Sequence, residues 1–164
     1  MRIYFMRHGI ATKNGPAMPD IKRPLASEGR EKTKKAAYGL KALKVRPKLI
    51  LTSPLLRAEQ TAEIVSLILG VRGGLKACDA LRPGGNPENI FVEIKDCGKS
   101  EECVLIGHEP DLSSLISRLI SGNGSLNIHL KKSGVCCVDV EKITPTPRGT
   151  LLWMATPKQL RKIR

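Results

Sequence analysis

The stretch Ile3-Tyr4-Phe5-Met6-Arg7-His8-Gly9 opens with four β-forming residues and closes on an arginine, a histidine and a glycine. The four apolar and aromatic residues read as a buried strand. Arg7, His8 and Gly9 then stand where the backbone leaves the sheet, and in α/β proteins that edge holds the chemistry.

The same arrangement recurs twice. Leu49-Ile50-Leu51 ends in Thr52-Ser53-Pro54, and the segment from Leu55 to Ala62 opens a helical pattern continued by Ile64, Val65 and Ile68. Arg57 falls in the first turn of that helix, where unpaired N–H groups and the positive dipole end already favour an anion. A guanidinium added there makes a site for a phosphoryl or carboxylate group. Cys103-Val104-Leu105-Ile106 ends in Gly107-His108-Glu109-Pro110, and Pro110 suits the first position of a helix bearing Leu112, Leu115, Ile116 and Leu119. In a parallel sheet all three junctions lie outside the carboxyl ends of the strands, so Arg7, His8, Arg57 and His108 can converge. Two of the chain's three histidines occupy such junctions.

Strand and helix readings alternate along the rest of the chain. Ser27 can cap a helix carrying Ala36, Ala37, Leu40 and Leu43. Asn86 and Pro87 introduce a short helix with Ile90, Phe91 and Ile94. Leu126 to Leu130, Gly134 to Val140 and Thr150 to Ala155 read as strands, with a loop from Thr144 to Gly149. The predicted fold is a three-layer α/β/α sandwich on a mostly parallel sheet with an antiparallel edge strand. A chain of 164 residues is most simply one domain, residues 1–164, able to bury roughly two-thirds of its unfolded surface.

These segments resemble the histidine phosphatase superfamily, whose fold is that of phosphoglycerate mutase. The likeness rests on Arg7-His8-Gly9, on Ser53-Pro54-Leu55-Leu56-Arg57-Ala58-Glu59-Gln60-Thr61-Ala62 and on Gly107-His108. Small size, Arg23-Pro24-Leu25 before Gly29, and Gly107-His108-Glu109-Pro110 narrow it to the SixA-type phosphohistidine phosphatase branch. The resemblance implies that His8 is the nucleophile, that Arg7, Arg57 and His108 surround the phosphoryl oxygens, and that Arg23 is a further phosphate contact. It also implies a protein substrate, a phosphotransfer domain or phosphocarrier bearing phosphohistidine.

The chemistry suits those roles. A phosphoryl group in transfer spreads negative charge over its equatorial oxygens, which calls for fixed cationic donors. The arginines and His108 supply that charge, so no metal or other cofactor is expected. Larger members of the superfamily carry a glutamate as general acid after the second helix. Here that segment reads Cys78-Asp79-Ala80-Leu81-Arg82-Pro83-Gly84-Gly85, leaving Asp79 and Glu109 as outside candidates. An alkoxide leaves poorly without a proton donor, whereas the imidazole of phosphohistidine leaves readily. Two other readings stay open: a small-molecule phosphomonoesterase, and a basic module that binds phosphate or nucleic acid without catalysis.

The chain has 28 Lys and Arg against 15 Asp and Glu, a formal +13. Such charge invites nucleic acid, but aromatic residues are only 3%, so platforms for base stacking are nearly absent. A solvated basic face, or attraction of an acidic phosphoprotein, fits better. Cys78, Cys97, Cys103, Cys136 and Cys137 have neither Cys-x-x-Cys nor zinc spacing and read as reduced packing thiols. His129 is expected to face solvent, and Lys131, Lys132 and Ser133 to border the same strand. The amino end lacks the pattern of a leader, and the longest apolar stretch, Ile64 to Val71, falls far short of the roughly 18 residues of a membrane span. A cytoplasmic monomer is expected.

Overall fold

The computed structural model describes residues 1–13, 15, 18–95, 101–141 and 147–163. Among these, β1 (Arg2–Arg7), β2 (Leu49–Thr52), β3 (Leu75–Ala77), β4 (Glu102–Gly107), β5 (Val135–Val140) and β6 (Gly149–Ala155) form one sheet in the order β3-β2-β4-β1-β5-β6. The first four strands are parallel to one another; β5 runs against β1, and β6 against β5. The antiparallel pairings are thus confined to one edge, as the patterning predicts.

Register brings the junctions level. Arg7 pairs with Gly107 across β1 and β4, and Thr52 pairs with Ile106 across β2 and β4. The ladder even continues one step past the strands, with the His8 N–H donating to Gly107 O at 3.1 Å and the Ser53 N–H to Ile106 O at 2.9 Å. Three strand ends therefore deliver His8, Ser53 and His108 side by side.

Alternation along the strands builds two cores. Ile3, Phe5 and Leu105 face α3 (Pro87–Glu93) and α4 (Asp111–Ser121), which contribute Ile90, Leu112, Ile116 and Leu119, with Ile94 just past the end of α3. Tyr4, Met6 and Ile106 face α1 (Ser27–Ala42), α2 (Leu56–Leu69) and α5 (Pro157–Leu160), represented by Leu40, Val65 and Leu160. Helices on both faces make the expected three layers. No helix among the described residues is long and apolar enough to cross a membrane.

Cys136 belongs to the first core and Cys137 to the second, so neighbours in sequence point to opposite sides of the sheet. Burial pushes their thiols up to about 12 and about 11. Both are free, as is the buried Cys78. Cys97 lies outside the described residues, as does half of the loop expected from Thr144 to Gly149, namely Thr144, Pro145 and Thr146.

The structure corrects several local expectations. Leu126 to Leu130 is not a strand. Its polar groups are engaged elsewhere: the Leu126 N–H donates to Ser117 Oγ at 2.9 Å, and Leu130 O accepts from the Arg7 guanidinium at 3.1 Å. His129, on this irregular segment, is exposed as expected. Ser27 is the first helical residue rather than the cap, because the Ala26 N–H is tied to Ile10 O at 2.9 Å and Ala26 stays extended. Pro110 likewise caps α4 from one residue outside it.

α5, not anticipated from the sequence, begins with a capping box in which Thr156 and Gln159 bond each other's backbone N–H groups. It packs backbone to backbone on α1: a β-carbon at Gly39 would lie 2.2 Å from Leu160 O.

Candidate active site

Glycine at position 9 lets the loop after β1 approach α1. A β-carbon there would lie 2.5 Å from Thr33 Oγ1. The Gly9 N–H instead donates to Thr61 Oγ1 at 3.0 Å, and the Thr61 hydroxyl donates to Arg57 O at 2.7 Å. One hydroxyl of α2 thereby fixes the loop after β1 relative to the first turn of α2. On the other side, the Ser133 N–H donates to Arg7 O at 3.0 Å, with Ser133 in the left-handed region at φ 60°. Ser133 Oγ lies 2.9 Å from Thr33 Oγ1, closing the link to α1.

Within this frame His8, Arg57 and His108 are 6%, 4% and 3% exposed, unusual burial for such polar groups. The rings of His8 and His108 stand with centroids 4.9 Å apart, tilted by 52°. Nδ1 of His8 is 2.7 Å from Gly9 O, and because a carbonyl only accepts, Nδ1 holds the proton and Nε2 keeps a lone pair. Arg57 Nη2 lies 3.5 Å from His108 Nδ1; a guanidinium only donates, so Nδ1 accepts and His108 Nε2 donates to Ser53 Oγ at 2.8 Å.

Arg57 also grips Asp20, with Nη1 on the backbone oxygen at 2.9 Å and Nη2 on Oδ2 at 3.0 Å. The other carboxylate oxygen of Asp20 pairs with Arg23 Nη2 at 3.0 Å. Asp20, half-exposed on a short 3-10 turn, therefore bridges two arginines. Burial pushes its carboxyl up, and the hydrogen bond and charge of Arg57, with Arg23 beside it, overcome this and hold it below the usual range. Among the described residues, the buried side-chain polar atoms without a hydrogen-bond partner are Thr12 Oγ1 and the Nε atoms of Arg7, Arg23 and Arg57. Unspent donors concentrated on three guanidiniums are capacity for an anion.

The structure thus gathers Arg7, His8, Arg57 and His108, and Arg23 joins through Asp20. The two carboxylates considered as general acids lie otherwise. Asp79 is exposed and paired with Arg82 Nε at 2.7 Å, and Glu109 accepts from Ser113 Oγ at 2.8 Å. Sequence reasoning missed Asp20, Ser53 and Thr61. The Asp20-x-x-Arg23 spacing was the one local hint of the first; the hydroxyls carry none.

Both imidazoles are held neutral. Burial chiefly lowers His8 to about 3, with the Gly9 hydrogen bond opposing and His108, Arg57 and Arg7 reinforcing. Burial and then Arg57 lower His108 to about 4, against the pull of Asp20. Unfolded histidines titrate near 6.5, so between that pH and about 4 the unfolded chain binds more protons than the native one, and stability must fall with pH. Urea midpoints are expected to drop steadily from pH 7 to pH 4, and a His8→Asn/His108→Asn variant to show a shallower drop.

Comparison with known proteins agrees with this geometry. A model of the histidine phosphatase superfamily (branch 1) matches residues 3–82. The chain is 36% identical over 138 residues to an uncharacterized protein of Picosynechococcus sp., covering 82% of each. The chain belongs to the histidine phosphatase superfamily. Within it, the chain is homologous to the phosphohistidine phosphatase SixA of Escherichia coli, 28% identical over 163 residues, covering 98% of this chain and 97% of that one. The structure of the protein histidine phosphatase SixA complexed with tungstate superposes with a TM-score of 0.85 at 27% identity, covering 98% and 99% of the two chains. This homology makes the protein a phosphatase of that superfamily.

Proposed function

We propose that the protein hydrolyses phosphohistidine in a phosphotransfer domain or phosphocarrier, by way of a phosphoryl group held on His8. The observation that carries this reading is the His8 hydrogen bond to Gly9 O, which leaves Nε2 as a neutral nucleophile beside Arg57 and His108. Similarity to SixA, a phosphohistidine phosphatase that binds tungstate, an oxyanion shaped like phosphate, supports it.

In the first transfer Nε2 of His8 bonds to phosphorus as the P–N bond of the substrate breaks, and the departing imidazole takes a proton from solvent. Arg7 and Arg57, with Arg23 as a further contact, balance the charge on the equatorial oxygens. An arriving phosphoryl dianion raises the proton affinity of His108 Nδ1, turning it from acceptor into donor. In the second transfer water attacks phosphorus, inorganic phosphate leaves, and His8 is restored. With Asp79 paired to Arg82 and Glu109 bonded to Ser113, neither serves as a general acid, and this is tolerable because imidazole, unlike an alkoxide, leaves readily.

Incubation with a phosphohistidine protein followed by rapid quench should trap an acid-labile, base-stable phosphoryl group on the protein. Turnover of sugar phosphates or phosphoglycerate comparable with that of phosphohistidine would replace this reading with a phosphomonoesterase.

Asp20 competes with substrate oxygens for Arg57 and Arg23. Asp20→Asn is expected to tighten inhibition by vanadate about two- to fivefold, in keeping with the ~0.5–1 kcal/mol of a half-exposed ion pair. Inhibition constants at pH 7 would measure it.

A further inference from the structure

Arg7, part of the phosphate cluster, also lines a groove of ≈ 690 Å³ that runs away from it. Its other cations are Lys32, Lys131, Lys132, Lys158 and Arg161, and among the described residues no carboxylate lines it. Lys32 pairs with Glu28 at 2.5 Å. Lys131, Lys132, Lys158 and Arg161 have no carboxylate within ion-pair distance among the described residues, and all four are exposed. A merely solvated basic face would intersperse its acids, as α1 does at Glu28 and Glu31.

The walls are fixed before any partner arrives. Lys131 and Lys132 stand on the turn whose Ser133 N–H bonds Arg7 O and whose Gly134 O accepts the Arg7 N–H. Lys158 and Arg161 flank Leu160, which is fully buried behind the Thr156–Gln159 capping box. Ile10 and Pro157 supply an apolar floor, and among the described residues no aromatic side chain lines the groove for base stacking. Preorganised cations over an apolar floor, continuous with a phosphoryl site, match acidic side chains on a folded or extended protein segment.

We propose that this groove docks an acidic segment of the protein that carries the phosphohistidine, steering it so that the phosphoryl group meets His8. The inference rests on the phosphohistidine reading above. Its test compares free phosphohistidine with two phosphohistidine peptides, one flanked by glutamates and one by serine and glycine. At about 50 mM salt wild type is expected to turn over the acidic peptide with a kcat/KM about tenfold above the neutral one, an advantage lost at about 0.5 M salt. The variant Lys131→Glu/Lys132→Glu/Lys158→Glu/Arg161→Glu should lose the advantage while hydrolysing free phosphohistidine at the wild-type rate.

Equal kcat/KM for the two peptides in wild type would overturn the proposal. Stronger competition by an RNA oligonucleotide than by a polyglutamate peptide of equal charge would overturn it too, giving the groove to nucleic acid. If wild type hydrolyses no phosphohistidine at all, the catalytic reading fails instead. Docking is then read from the fluorescence anisotropy of a labelled polyglutamate peptide, and equal affinity for wild type and variant would refute it.

Discussion

His8→Ala is expected to leave no phosphoryl label on the protein after quench and to lower turnover of a phosphohistidine substrate by about 10,000-fold or more, the scale seen when a covalent nucleophile is deleted. The other nitrogens in the pocket cannot replace it. His108 Nε2 carries a proton toward Ser53, its Nδ1 faces Arg57, and the guanidiniums stay protonated. The anion site should survive, because the backbone at position 8 is held by Gly107 O and the arginines are positioned by other elements. Vanadate should therefore bind the variant within a few-fold of wild type. Labelling of His8→Ala equal to wild type would remove this residue from its role.

Arg57→Ala carries the second large effect, a loss of about 100- to 1,000-fold in kcat, or about 3–4 kcal/mol of transition-state stabilisation. Lysine should restore little of it. A single ammonium cannot reach both Asp20 oxygens and His108 Nδ1 as the planar fork does. The variant has a second signature that simple loss of packing would not produce. Arg57 depresses the proton affinity of both His8 and His108, so its removal should shift the acid limb of the pH–rate profile upward, toward the ordinary histidine range. An unchanged limb with the same drop in rate would assign Arg57 to positioning alone.

Much of this site was legible in the sequence because strand ends announce themselves locally. Ile3 to Met6, Leu49 to Leu51 and Cys103 to Ile106 are apolar runs that stop on polar residues, and the parallel ladder converts three distant stops into one cluster. What stayed hidden depends on partners far away in the chain. Asp20 matters only because Arg57 reaches 37 residues back to it, and Thr61 only because it meets the Gly9 N–H. Leu126 to Leu130 has the alternation of a strand yet forms none, since Ser117 and Arg7 claim the backbone groups a ladder would have used. β3 and α5 are too short for periodicity to reveal, although Thr156-Pro157-Lys158-Gln159 spells the capping box that starts α5.

β1 lies inside the sheet, bonded to β4 along one side and to β5 along the other. Amides of Ile3 to Met6 should consequently be among the last to exchange with deuterated solvent, surrendering their protons only when the whole molecule unfolds. His8 is thus anchored at the end of a segment expected to be among the slowest to exchange. The turn at Asp20, by contrast, belongs to no ladder and can open and close on a far faster clock while His8 stays put.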